Sequence, residues 1–188
     1  MHRFPLAILL LCLFSCNQVT KNETNNVDSN IVVDTPIKAP AQEQKQTLDP
    51  IVYIRERVTH INEASLETKH FEFMCDELTK VDFFYEKGEI VKIKIDFGTV
   101  GDVYAKEDYY YDKGKLIFFY EFVEGGPACE GCIKTNEYRS YIKNDQVFKY
   151  LKDQQVQKCR KCEFGPKSRQ YLLLNAKTEQ EVKAIVCR

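Results

Sequence analysis

From residue 69 to residue 152, apolar and polar side chains alternate in one segment after another. Phe71, Phe73 and Cys75 share one face of the first run, and Val81, Phe83 and Tyr85 share one face of the second. The alternation is cleanest after Lys87-Gly88, where Val91, Ile93, Ile95 and Phe97 point one way and Lys92, Lys94 and Asp96 the other. A period of two is what a strand with one buried and one wet face requires. Residues 116–123 are apolar in both phases, with Leu116, Phe118, Tyr120 and Phe122 set against Ile117, Phe119 and Val123. That run predicts a central strand, or one covered on its second face.

Helical spacing frames these strands. Asp49 can cap a helix and Pro50 suits its first position. Ile51, Ile54, Val58 and Ile61 then recur at three- and four-residue intervals, predicting a helix over 50–63 with this stripe on the core. His60 sits beside the stripe and reads as an ordinary boundary residue. Near the end, Ser168 can cap a helix over 169–176, and Thr178-Glu-Gln-Glu181 fits a capping box ahead of Val182, Ile185 and Val186. The expected fold is α+β: an antiparallel meander sheet of about six strands, with an N-terminal helix and C-terminal helices packed on one face.

The chain also repeats itself. Phe84-Tyr85-Glu-Lys87-Gly88 returns as Tyr110-Tyr111-Asp-Lys113-Gly114 and, more weakly, as Ser140-Tyr141-Ile-Lys143-Asn144, at spacings of 26 and 30 residues. Glycine or asparagine stands where a tight turn needs positive φ, so three hairpins in series are expected.

The first 48 residues follow neither pattern. His2 and Arg3 precede an apolar run over 6–14, which ends at Leu13-Phe14-Ser15-Cys16. The run has signal-peptide length and is too short for a mature spanning helix. These sixteen residues resemble the lipobox of bacterial lipoproteins. The resemblance implies a signal peptide over 1–15, cleavage before Cys16, acylation of Cys16, and attachment of the mature protein to the membrane of the cell envelope. Asn17 stands where an aspartate signals inner-membrane retention in enterobacterial lipoproteins, so the outer membrane is favoured over the inner. Residues 17–47 hold neither glycine nor aromatic residue and are dominated by Asn, Gln, Thr, Asp, Lys and Pro. Such a composition has little apolar surface to offset ordering entropy and suits a tether. The domain expected to fold is therefore 49–188, long enough to bury a real core without help from its cysteines.

Beyond Cys16 that domain carries six cysteines: Cys75, Cys129, Cys132, Cys159, Cys162 and Cys187. In an exported domain an even number reads first as disulfides. Cys129-Glu-Gly-Cys132 and Cys159-Arg-Lys-Cys162 flank the third hairpin, and if the chain simply runs up and back the two pairs meet at its open end. Three chemistries are then open. The pairs can form disulfides, within or across the two motifs. The four thiolates can bind one zinc in the manner of a zinc ribbon. Or one motif can be redox-active, with Cys159 and Cys162 better placed because Lys158, Arg160 and Lys161 surround them. Cys75 and Cys187 pair by elimination if the other four are self-contained.

Net charge is −1 and the lysines are dispersed, so no basic field points to a nucleic-acid partner. No nucleophile motif, metalloprotease motif or phosphate-cradling loop is present. Asp96, Asp102, Glu107 and Asp108 are candidate acidic pairs, and residues 98–108 read as a long connection. Tyr109, Tyr110 and Tyr111, with Phe118, Phe119 and Tyr120, are either core or a surface for an envelope protein partner. In its order of helix and meander the domain resembles small envelope proteins of the β-lactamase-inhibitor-like or PepSY-like kind, a likeness that carries no residue across. The expected function is a non-enzymatic binding or assembly role without cofactor, in an envelope-anchored lipoprotein stabilised by disulfides. The alternative is a zinc-binding or thiol-redox protein using the CxxC pairs.

Overall fold

A computed structural model describes residues 49–127 and 129–187. The signal segment, Cys16 and the tether lie outside the described residues. The chain begins with α1 (Pro50–Glu63), whose first turn is closed by Asp49 accepting from the Ile51 amide at 2.9 Å. Eight strands follow: β1 (Glu67–Met74), β2 (Leu78–Glu86), β3 (Glu89–Val100), β4 (Val103–Asp112), β5 (Lys115–Gly125), β6 (Lys134–Lys143), β7 (Gln146–Lys152) and β8 (Gln155–Val156). They form one antiparallel sheet in strictly sequential order. Two short helices end the chain, α2 (Arg169–Asn175) and α3 (Glu179–Val186), the second opened by the expected capping box between Thr178 and Glu181.

The α+β class holds, but the sheet has eight strands where about six were expected. One source of the difference is the segment 98–108, read above as a long connection. It is strand almost throughout: β3 runs to Val100, a tight turn at Gly101 and Asp102 follows, and β4 starts at Val103. Gly98, at φ +71°, takes up a register shift there. The other source is β8. Asp153 and Gln154 both adopt positive φ, so the chain reverses after β7.

Nor do the helices share one face. On β4 the alternate residues Tyr109 and Tyr111 pack with Leu173 of α2 and Val182 and Val186 of α3, whereas Tyr110 packs with Ile54 and Ile61 of α1. Neighbours on a strand point to opposite faces, so α1 covers one side of the sheet and α2 and α3 the other. That is why residues 116–123 are apolar in both phases: Leu116 and Phe119 belong to one core, Phe118 and Ile117 to the other. The tyrosine cluster is core: Tyr109, Tyr110 and Tyr111 are at most 4 % exposed.

Three hairpins repeat the same geometry. Lys87-Gly88, Lys113-Gly114 and Asn144-Asp145 are two-residue turns with positive φ at both positions. Each is followed by the same bulge: Phe84 pairs with Lys92, Tyr110 with Phe118 and Tyr141 with Lys149, leaving Val91, Ile117 and Phe148 as the extra residues. The third repeat therefore sits one residue later than Asn144 alone suggests. The bulge also turns Val91 onto the α1 side, away from Ile93 and Ile95, with which simple alternation had grouped it.

Candidate functional site

The three bulged turns gather at one end of the sheet, and the N-terminus of α1 lies across two of them. Between α1 and the second and third turns is a groove of about 730 Å³. Its apolar lining comes from Ile54 of α1, Leu116 and Ile117 of β5 and Ile142 of β6; of these four Ile117 is half-buried and the others are at most 3 % exposed. Pro50 and Tyr53 form the helical wall, and the rim carries Lys113, Lys115 and Lys143 beside Asp112, Asn144 and Asp145. The size and apolar lining are those of a small-ligand site.

The carboxylates of the rim are already engaged. Asp112 accepts from the Tyr53 hydroxyl at 2.7 Å and lies 3.7 Å from Arg57 Nε. The bond to Asp112, followed by burial, raises the pKa of Tyr53, so this phenol stays a donor. Asp145 pairs with Lys115 at 3.3 Å and accepts from the Tyr171 hydroxyl. Burial and Asp145 push Tyr171 up to about 12, and its oxygen accepts from the Leu116 amide at 3.1 Å. Lys113 and Lys143, both exposed, form no ion pair among the described residues.

The two CxxC motifs are placed differently from expectation, while Cys75 and Cys187 pair with each other. Cys75 and Cys187 are joined as a disulfide, with Cα atoms 5.3 Å apart, and tie the β1–β2 turn to the end of α3. Cys129 is bonded to Cys132, and Cys159 to Cys162, each within its own motif. The two motifs do not meet. Cys129 and Cys132 lie in the loop between β5 and β6, at the end of the sheet opposite the groove. Because the chain reverses at Asp153 and Gln154, residues 155–164 return along the edge of β7. The Cys162 carbonyl accepts from Val147, and the Asp145 carbonyl from Phe164. Val147 pairs with Ile142 near the far end of β6, about eight residues and roughly 26 Å beyond Lys134. A shared zinc on Cys129, Cys132, Cys159 and Cys162, and disulfides crossed between the motifs, are both overturned by this separation. Among the described residues no cluster of three or more His, Cys, Asp or Glu stands ready to hold a metal.

The Cys159–Cys162 bridge closes the base of an excursion that carries two cations over the sheet. Arg160 stacks on the Tyr138 ring at 3.8 Å, donates to both oxygens of Glu121 at 3.0 Å, and donates to the Tyr150 hydroxyl at 2.9 Å. Burial raises the Glu121 pKa, against the opposing pull of Arg160. Lys161 is lowered by burial and by Arg169. Arg169 in turn pairs with Glu107 at 3.3 Å, so Glu107 belongs to a structural ion pair.

The remaining candidates do not gather at one site. Asp96 accepts from the Gly98 amide at 3.0 Å and the Tyr104 hydroxyl at 3.1 Å. Asp108 faces Lys92 at 3.3 Å beneath α1, and Asp102 sits in the β3–β4 turn. His60 lies 2.6 Å from Glu86 at the surface of α1. The groove itself was missed in sequence because its lining comes from three separate elements. Its signal was the lysine of the repeated turn, which places Lys113 and Lys143 in neighbouring hairpins. No family model matches the chain, and neither a curated protein nor a solved structure matches it.

Proposed function

We propose that this chain is an envelope-anchored lipoprotein with a non-enzymatic binding role, whose disulfide-stabilised domain takes the apolar part of a ligand into the groove between α1 and the second and third hairpin turns. One observation carries the reading: a concave site of about 730 Å³ whose apolar lining includes Pro50, Tyr53, Ile54, Leu116, Ile117 and Ile142. The lipobox at Cys16 supports the anchor, with the outer membrane favoured. Intact mass of the membrane-extracted protein, compared with a Cys16→Ser variant, tests acylation. An unmodified Cys16 removes the anchor from the proposal.

The binding role is tested with a naphthylamine probe that fluoresces on entering an apolar site. Ile117→Trp fills the groove from its half-buried floor position. Saturable fluorescence that drops at least tenfold in affinity in this variant, with an unchanged circular dichroism spectrum, is the expected result. Equal binding by both proteins refutes the assignment of the groove.

A second reading is thiol–disulfide exchange at Cys159 and Cys162. It is favoured by a bridge that spans three residues, joins no two elements, and has Arg160 and Lys161 between its ends. Equilibration against glutathione buffers tests it. A bond that stays oxidised in the most reducing glutathione mixture, and also against a reduced thioredoxin-type dithiol, overturns this reading.

A further inference from the structure

We infer that the groove selects a free, monomeric single-chain amphiphile whose acyl chain ends in an anionic head, the head being held by Lys113 and Lys143. The inference rests on the binding role proposed above and adds the chemistry of the ligand. The floor offers no polar side chain to a second polar group, so what lies along it must be apolar. The rim then decides the head. Asp112 is held by Tyr53 and Arg57, and Asp145 by Lys115 and Tyr171, which leaves neither carboxylate free for a cationic head. Lys113 and Lys143 are exposed and form no ion pair among the described residues.

The hairpin repeat explains how two lysines come together. Lys113 occupies the first central position of its turn at φ +49°, and Lys143 immediately precedes the equivalent turn of the next hairpin. Their flexible stems can lie along the apolar wall with the ammonium groups at the mouth. Lys87 holds the same turn position in the first hairpin, at φ +52°, but does not line the groove. It is an internal control for any general effect of surface charge.

The test uses laurate below its micellar concentration, dodecanol as its neutral counterpart, and vesicles of anionic phospholipid, each titrated against the chain carrying Cys16→Ser, which has no acyl anchor, and read by displacement of the naphthylamine probe or by co-sedimentation. Laurate is expected to bind at least tenfold more tightly than dodecanol. Lys113→Gln combined with Lys143→Gln should abolish that preference by weakening laurate at least fivefold more than dodecanol, and Lys87→Gln should change neither. Laurate binding should also weaken with salt, since exposed charge pairs are screened. Equal affinity for laurate and dodecanol overturns the anionic head and leaves the binding role standing. Failure of both to displace a probe whose binding Ile117→Trp weakens overturns the amphiphile and leaves the binding role standing, which falls only if the probe binds wild type and Ile117→Trp alike. Sedimentation with anionic vesicles without binding of monomeric laurate overturns the free amphiphile in favour of a bilayer surface.

Discussion

The three disulfides should differ sharply in their contribution to stability. Cys75 and Cys187 are 112 residues apart, whereas each CxxC bond spans three. In the chain-entropy description, closing a loop of that length removes about 16 cal/mol/K from the unfolded ensemble, worth about 5 kcal/mol at 25 °C. A CxxC loop is worth roughly 2 kcal/mol on the same basis. Replacing Cys75 and Cys187 together with alanine should therefore cost roughly 3 kcal/mol more than replacing Cys159 and Cys162 together. For a domain of this size, unfolding entropy near 2.1 cal/mol/K per residue converts that difference to about 10 °C in Tm. Thermal unfolding followed by circular dichroism, with denaturant titration as a second measure, reads both variants directly. Equal losses in the two double variants, or a greater loss for Cys159 and Cys162, would refute the loop-length reasoning. The Arg160 excursion would then be doing more for the fold than its local bridge implies.

Glu86 is held down to about 2 by its hydrogen bond to Arg57 and then by His60, and the pair with Arg57 is 2.7 Å long. A lowered carboxyl pKa stabilises the fold above the unfolded value of about 4.5, and that contribution is lost as pH falls towards 2. The wild type should therefore exceed Glu86→Gln by about 1 kcal/mol at pH 6 and converge with it near pH 2, a modest figure because the pair is partly solvated; a constant difference across that range contradicts the assignment. Tyr111 is fully buried and its hydroxyl donates to the Gln170 carbonyl at 2.8 Å, so Tyr111→Phe should cost about 1–2 kcal/mol in denaturant unfolding, and a neutral result argues against that bond. A Cβ at Gly126 would collide with the Cys132 carbonyl, so Gly126→Ala should destabilise by about 1–3 kcal/mol and loosen the Cys129–Cys132 loop, seen as faster reduction by dithiothreitol; unchanged reduction kinetics would contradict the close approach.

Much of this fold could be read from local chemistry. Asp49-Pro50 with the Ile54 and Ile61 stripe placed α1 to the residue, and Thr178 with Glu181 placed α3. The repeated Lys-Gly turns announced two of the hairpins, because left-handed backbone at two successive positions is a strong local demand. What local chemistry concealed was the phase slip after each turn. Ile90-Val91, Leu116-Ile117 and Val147-Phe148 are adjacent apolar pairs, and each marks a bulge; the first two send one member to each core, whereas Val147 packs on the α2–α3 side and Phe148 is exposed. A strict period of two averages over that signal and so assigns all helices to a single face. The β7–β8 reversal was visible too: Lys152-Asp-Gln-Gln-Val156 echoes Lys143-Asn-Asp-Gln-Val147. A chain that did not reverse there would end at the same end of the sheet as Cys129 and Cys132, and the reversal is what separates the two motifs. Of the groove only the rim lysines of the repeated turn left a trace in the sequence, since its lining joins residues from α1, β5 and β6 whose closeness depends on both bulges.

The two CxxC bonds have a consequence for the order in which the thiols can be oxidised. In any chain delivered from its N-terminus, Cys75 emerges 112 residues before its partner Cys187. Four other thiols pass it in the meantime, and six cysteines allow fifteen pairings. Cys129 and Cys132, and later Cys159 and Cys162, can each close within a few residues of appearing, before the rest of the chain is present. The strictly sequential sheet lets each hairpin form on the same schedule, with no strand waiting for a later neighbour. Local closure thus withdraws every competitor, and by the time Cys187 arrives Cys75 has a single reduced partner left to find.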